Sequence, residues 1–336
     1  MNSLPPLSYR HLVRLQGPHG LFEHAEGTVP RQEHGYCTDD NARLLALTSR
    51  RPDLDDADEL SRVALQFVVA AIAPDGRCAN RRDSSGAWID TPTTDDCWGR
   101  ALYGLGTCAA RHPDATMRAT ALAAFSTASE LSARSPRTMA FAALGAVEVA
   151  QVDDRHIGAQ RLMRQTVSTI GPVSNGAWQW PEPRLAYANA TLAEALIAAG
   201  TATQSTWDVD RGLRMLGWLL DRDTRDGHLS VTPAGGAGPD DRGPGFDQQP
   251  IEVAALADAC TRAHAATGDA RWADAVQMAA RWFMGDNDAA TMMYDPQSGG
   301  GFDGLHADSV NLNQGAESTI AFITTIERAL ALVHAE

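Results

Sequence analysis

The sequence predicts an all-α protein: six helical hairpins in two concentric rings, forming one domain over residues 1–336. Three observations carry that prediction. Apolar residues recur at helical spacing in twelve segments. Strand-like alternation is confined to short pieces between them, such as GAWID and HLSVT. Long and short loops alternate, as they do when consecutive helices pair into hairpins.

The helical segments span about 8–16, 38–50, 56–74, 94–110, 113–132, 135–151, 154–170, 185–199, 205–221, 247–267, 269–285 and 313–334. Long loops cover about 17–37, 75–93, 171–184, 222–246 and 286–312. Each leads into a helix with a polar, distinctive start: TDDNAR, TDDCWGR, YANATLAEAL, FDQQPIEVAAL and NQGAESTIAFI. SPRTMAFAALGAV opens a sixth after a short link. These six read as the inner ring, beginning near Thr38, Thr94, Pro136, Leu185, Asp247 and Asn313. They are apolar over most of their surface, as helices covered on both sides must be. Small residues in RALYGLG, FAALGAV and AEALIAAG let them approach closely. The helices after short loops are Arg- and Ala-rich and amphipathic, and read as the outer ring. The long loops then gather around the N-termini of the inner helices, where a rigid scaffold carries function.

Composition narrows the partners. The chain has 44% hydrophobic and 21% charged residues, ordinary for a globular protein. Net charge is −14, and every basic side chain is Arg. That balance argues against nucleic acid or an anionic membrane surface as partner. It permits a neutral ligand, or an anionic one held by local arginines. No run reaches membrane-spanning length and no leader pattern is present, so a soluble, cytoplasmic protein is expected. Cys37, Cys78, Cys97, Cys108 and Cys260 form no C-x-x-C pair and read as reduced, packed thiols.

The strongest chemical signal is a repeated acid pair. Thr38-Asp39-Asp40 and Thr94-Asp95-Asp96 each open an inner helix, and Arg43 or Arg100 follows within about one turn. One Asp at a helix start serves as a cap and complements the dipole. A second is surplus to that need. Two carboxylates in one cleft suit glycosidic chemistry, one protonating the leaving oxygen and the other activating water or attacking carbon. Further acids stand at the same end: Glu182 in WQWPEPRLAYANA, Asp247 and Glu252 in FDQQPIE, and Glu317 in QGAES. Glu194 and Asp258 lie further along their helices and read as structural.

Aromatics are only 6% of the chain, yet Tyr36, Trp88, Trp98, Trp178, Trp180, Tyr187 and Phe246 all fall near inner-helix starts. Flat rings there suit stacking on sugar faces. Trp218, Trp272 and Trp282 fall on outer helices and read as core. No calcium-loop spacing, H-E-x-x-H, phosphate loop or nucleophile elbow is present, so neither a metal nor a cofactor is expected.

The phrases LFEHAEG, HGYCTDDNARLLAL, WQWPEPRLAYANATLAEAL, FDQQPIEVAAL and NQGAESTIAF resemble a bacterial family with a DDNAR signature. That resemblance implies an (α/α)6 toroid, often encoded beside or fused to glycosyltransferases, which makes a glycosyltransferase an expected functional partner. Six-hairpin toroids of this kind include glycosidases, unsaturated-uronyl hydrolases and sugar epimerases, with acids at the N-terminal ends of inner helices. Toroid terpene cyclases also use acid clusters, but their cavities are richer in aromatics. Toroid epimerases use paired histidines, for which His34 and His306 are the candidates.

The expected function is therefore glycoside hydrolysis of an oligo- or polysaccharide. Asp40 and Asp96 are expected as the central acids, with Glu182 as a third. Asp39 and Asp95 would cap helices or hold sugar, and Arg43 and Arg100 would pair with the acids and fix their rotamers. His34, Tyr36, Trp98, Trp178, Trp180, Tyr187, Asn189, Asp247, Gln248, Glu252, Gln314 and Glu317 complete the expected sugar-binding set. The alternatives are a glycan-binding module serving a glycosyltransferase, and a sugar isomerase or epimerase.

Overall fold

A computed structural model describes residues 4–333. They form twelve α-helices and five two-residue antiparallel strand pairs. No helix among the described residues is long and apolar enough to cross a membrane. The chain divides into two compact units. The N-terminal unit is Tyr9–Ile170 with Ala202–Gln204, and the C-terminal unit is Gly171–Thr201 with the described residues from Ser205 onward and before Tyr9.

The N-terminal unit contains α1 (Arg10–Leu15), α2 (Thr38–Arg50), α3 (Ala57–Ala71), α4 (Asp96–Arg111), α5 (Ala115–Ala128), α6 (Pro136–Val152) and α7 (Ile157–Ile170). Alternate helices pack together, α2 on α4 and α4 on α6, while α3, α5 and α7 each cover the helix before them. Burial follows the same division. Twelve of the sixteen α4 residues are buried, against three of fourteen in α5. A helix buried all round needs small residues at its contacts. A methyl group added at Gly106 would strike the Gly145 backbone, and one at Gly145 the Leu102 carbonyl. At Gly104 it would lie 2.6 Å from the Ala42 carbonyl of α2.

Gly145→Ala is therefore expected to destabilise the protein, although Ala favours helix by about 1 kcal/mol. The added methyl meets backbone, which cannot rotate away, and overpacking of this kind costs about 1–3 kcal/mol or more. A lower urea midpoint checks this, whereas a higher one would mean that α4 and α6 are free to separate.

The C-terminal unit contains α8 (Ala190–Ala202), α9 (Thr206–Arg222), α10 (Pro250–Thr267), α11 (Ala270–Phe283) and α12 (Ala316–Val333). α10 packs against both α11 and α12. Partly buried ion pairs tie its covered helices together. Arg262 of α10 meets Glu194 of α8 at 3.2 Å, and Arg328 of α12 meets Asp258 of α10 at 2.6 Å. Glu194 and Asp258 are thus structural, as their depth along the helices predicts.

Helices α2 and α6 begin at Thr38 and Pro136, as the sequence predicts, while α4, α8, α10 and α12 begin two, five, three and three residues later. The delays have local causes. Ala188 adopts a left-handed φ of 44°, which interrupts the approach to α8. Gln248 is extended and bridges Pro233 on one side and Leu305 on the other. The Asp303 carboxylate accepts from Gly315 N at 3.0 Å and Ser318 Oγ at 2.8 Å, holding the entry to α12.

Candidate active site

The repeated acids do not cap their helices. The N-cap positions of α2 and α4 are Cys37 and Asp95, and neither makes a side-chain cap hydrogen bond. Real caps occur elsewhere: Asp114 accepts from Thr116 N at 2.7 Å, and Ser135 from Thr138 N at 3.3 Å. The expectation that Asp39 and Asp95 cap is corrected. Asp39 already lies inside α2, and the exposed Asp95, at the N-cap position of α4, accepts nothing from the helix amides through its side chain.

The two members of the first pair face different surroundings. Asp40 is 2% exposed, and its Oδ1 lies 2.5 Å from Arg43 while its Oδ2 accepts the Cys37 thiol at 3.2 Å. Asp39 is 20% exposed at its side chain and lies 3.1 Å from Arg100 Nε. Arg100 is itself buried and stacks on Phe141, 4.1 Å from the ring centroid. The second copy's arginine therefore serves the first copy's acid. Asp96 is half-buried and accepts a hydrogen bond from the Thr138 hydroxyl at the start of α6. Of the two pairs, Asp40 alone is buried; Asp95 is exposed, and Asp39 and Asp96 are half-buried.

Asp40 belongs to a set that resembles a metal site only in composition. Ligand atoms of Glu23, Cys37 and Asp40 lie within 4.8 Å of one another. Arg81 already pairs with Glu23, and Arg43 with Asp40. Burial, then the Asp40 charge, push the Cys37 thiol well up, so it stays protonated. A cation there would face two guanidiniums and lack a thiolate.

Two expected sugar platforms of the N-terminal unit are core residues. Tyr36 and Trp98 are 0% exposed, and Tyr36 stacks on Phe22 at 4.5 Å. Burial raises the Tyr36 hydroxyl above its ordinary range. His34 is exposed on a short 3-10 turn, Gln32–His34, beside the His24 ring at 5.0 Å.

In the C-terminal unit several expected binding residues are occupied with one another. Glu252 is buried and accepts from Ala188 N, Asn189 N at 3.2 Å and Asn189 Nδ2 at 2.9 Å. These bonds hold the left-handed Ala188. Gln248 is fully buried, donating to Asp288 Oδ2 at 2.6 Å and accepting from Trp282 Nε1 at 3.3 Å. Gln314 is buried between Ser298 Oγ at 2.5 Å and Asp295 Oδ2 at 3.4 Å. Asn189, Gln248, Glu252 and Gln314 thus build the scaffold instead of presenting polar atoms to a sugar. Glu182 is braced by indoles: Trp178 Nε1 donates to its carbonyl at 2.8 Å and Trp180 Nε1 to its carboxylate at 3.4 Å. Trp180 is buried, while Trp178, Tyr187 and Glu317 are half-buried.

Asp247 is half-buried in this unit. Its Oδ1 has no hydrogen-bond partner, and a methyl group at Gly304 would overlap the carboxyl. Burial raises its pKa, and the nearby His306 opposes that shift. Beside it runs a chain the sequence did not announce: His228 Nε2 lies 3.1 Å from Asp288 Oδ1, and Asp288 accepts from Gln248. Trp218, expected in the core, instead lines a cavity with Trp178.

No family model matches the chain, and no curated protein is significantly similar to it. Solved structures do match. A sugar epimerase from a ruminal bacterium shares 12% identity at a TM-score of 0.69, covering 96% of this chain and 95% of that one. Cellobiose 2-epimerase from Spirochaeta thermophila shares 13% identity at 0.69, covering 97% and 94%. An α-1,6-mannanase of Salegentibacter sp. shares 10% at 0.66, covering 96% of each chain. That mannanase was solved with α-1,6-mannotetrose as an inactive variant in which two consecutive aspartates are replaced by alanine. With twelve helices in alternating succession, the likeness gives the fold as an (α/α)6 toroid.

Proposed function

We propose that the chain is a carbohydrate-active enzyme that hydrolyses glycosidic bonds in an oligo- or polysaccharide. The observation that carries this reading is the repeated acid pair, of which Asp39 and Asp96 remain accessible at helix starts in a toroid fold. Asp39, ion-paired to Arg100, is the base that takes a proton from water. Asp96, whose partner is a neutral hydroxyl, carries the proton to the leaving oxygen. The C–O bond breaks as water adds at the anomeric carbon, and Asp96 ends ionised. Asp95 binds a sugar hydroxyl at the rim. The cytoplasmic location and the glycosyltransferase partner implied by the DDNAR resemblance belong to the same proposal.

One observation favours a second reading, sugar epimerisation or isomerisation. Asp247, with its raised pKa, stands near His306, an acid–base couple able to move a proton next to a carbonyl. One experiment separates the two. The protein is incubated in D2O with a panel of oligosaccharides and reducing sugars, and the products are analysed at their reducing ends. Hydrolysis creates new ends without carbon-bound deuterium, and proton-transfer isomerisation changes an existing end and places deuterium on carbon. Binding without either change would leave the chain as a glycan-binding module and sink both enzymatic readings.

A further inference from the structure

The C-terminal unit holds a cavity of about 630 Å³, within the usual range of small-molecule sites. Trp178 and Trp218 form one wall, their ring centroids 5.0 Å apart. Both indoles are fixed by their N–H groups, Trp178 on the Glu182 carbonyl at 2.8 Å and Trp218 on the Ala177 carbonyl at 3.1 Å. Asp223 also lines the cavity. It is 3% exposed, and its Oδ1 accepts from Thr232 Oγ1 at 3.3 Å while its Oδ2 has no partner.

The charges around this space are unevenly matched. Arg222 is held by the carbonyls of Gly238 at 2.8 Å and Asp241 at 3.1 Å and lies over both indoles. Arg242 bonds to its own loop. Asp221 lies 3.6 Å from Arg271, and Asp241 3.6 Å from Arg184. Asp240 stays on the exposed rim. Arg225 differs: its Nε is buried without a hydrogen-bond partner, and it enters no ion pair among the described residues. A cavity-lining guanidinium without a counter-ion is costly, and an anion in the cavity satisfies its outer nitrogens with charge-assisted bonds.

We propose that this cavity binds a sugar unit bearing an anionic group, with the indoles of Trp178 and Trp218 against the ring and the Arg225 guanidinium on the anion. The inference rests on the carbohydrate reading and narrows its substrate to acidic glycans. Asp223 tunes the site. Burial first, then the Glu252 charge, raise its pKa to about 8, so at neutral pH it is a protonated carboxyl that does not repel the anion. Ligands carrying a carboxylate or a phosphate share the required chemistry.

The test uses the full chain, tryptophan fluorescence and saturation-transfer NMR. The probes are D-glucuronate, glucose 6-phosphate and D-glucose at pH 7. At least one anionic sugar is expected to bind about tenfold or more tighter than glucose, and the better of the two identifies the anion. Arg225→Gln should remove that preference while leaving weak glucose binding. At pH 9 the native protein should lose the preference as Asp223 ionises, and Asp223→Asn should keep it. Equal binding of all three sugars, or an unchanged preference in Arg225→Gln, overturns the proposal. Turnover of a neutral glycan without anionic-sugar binding would also overturn it while leaving the hydrolase reading intact. Anionic-sugar binding without turnover would support it and remove the enzymatic reading alone.

Discussion

Asp96→Asn is expected to unfold at the native urea midpoint and to lose turnover by about 10²–10⁴-fold, the usual contribution of a positioned acid or base. Asp39→Asn should lose turnover alike, because only the accessible member of the first pair reaches substrate, but it also strips the buried Arg100 of its carboxylate and should lower the urea midpoint. Asp40→Asn should do the opposite. It removes the carboxylate that neutralises Arg43, whose side chain is 11% exposed, and breaking such a buried pair costs about 3–5 kcal/mol. Its folded fraction should retain turnover per active molecule. Unfolding curves and rates for the three variants, measured on a glycan found by the D2O screen, decide the matter. Native-like turnover in Asp96→Asn would exclude it as the acid and direct attention to Asp247. Native-like stability in Asp40→Asn would show that the Arg43 pair contributes nothing to the fold.

The contrast between Asp39 and Asp40 shows what the sequence could and could not convey. The pair itself was legible, because two acids at a helix start exceed what a cap requires. Which member faces inward was not. Neighbours on a helix point about 100° apart, so one of two adjacent acids is buried whenever the helix is covered on most sides. A faint signal exists in the spacing: Arg43 follows Asp40 by three residues, whereas Arg100 follows Asp96 by four. That difference turns the two arginines differently, and Arg100 meets Asp39 instead of an acid on its own helix.

Periodicity located all twelve helices because most of them bury a broad apolar face, a local property of the chain; α5, with three buried residues of fourteen, is the weakest case. The late start of α8 was hidden because Glu252, more than sixty residues away, holds Ala188 and Asn189 out of the helix. Likewise, Gln248 and Gln314 look like sugar ligands in sequence, since polar residues before a helix usually face solvent. Their partners lie elsewhere in the chain, Trp282 in α11 and Asp288 and Ser298 in the loop after it. Asp223 was least legible. DRDTRDG reads as an exposed polar turn, yet Asp223 is buried and bonded by Ser230 N and the Thr232 hydroxyl from further along the chain.

Asp223 also gives the clearest pH dependence. Its folded pKa is raised from 3.8 to about 8, chiefly by burial and then by the Glu252 charge. Between those values the folded chain keeps a proton that the unfolded chain releases. The unfolded state therefore binds fewer protons, and stability falls as pH rises. This contribution is fully present below about pH 4, declines through the neutral range and is lost above about pH 8. Glu194, raised to about 7 chiefly by burial, acts in the same direction, so the native slope reports more than one acid. Asp223→Asn isolates one of them. Its amide cannot ionise, and its oxygen can still accept from Thr232. Below about pH 4 the variant should match the native chain or fall slightly below it, because the amide N–H group lacks an acceptor beside it. Above pH 8 it should be the more stable by a few kcal/mol, since each pKa unit corresponds to about 1.4 kcal/mol and relaxation around the charge removes part of the sum. Urea midpoints from about pH 3.5 to 9.5 would show the two curves crossing. Parallel curves would mean that Asp223 is ionised throughout, and that its carboxylate is stabilised by solvent entering the cavity.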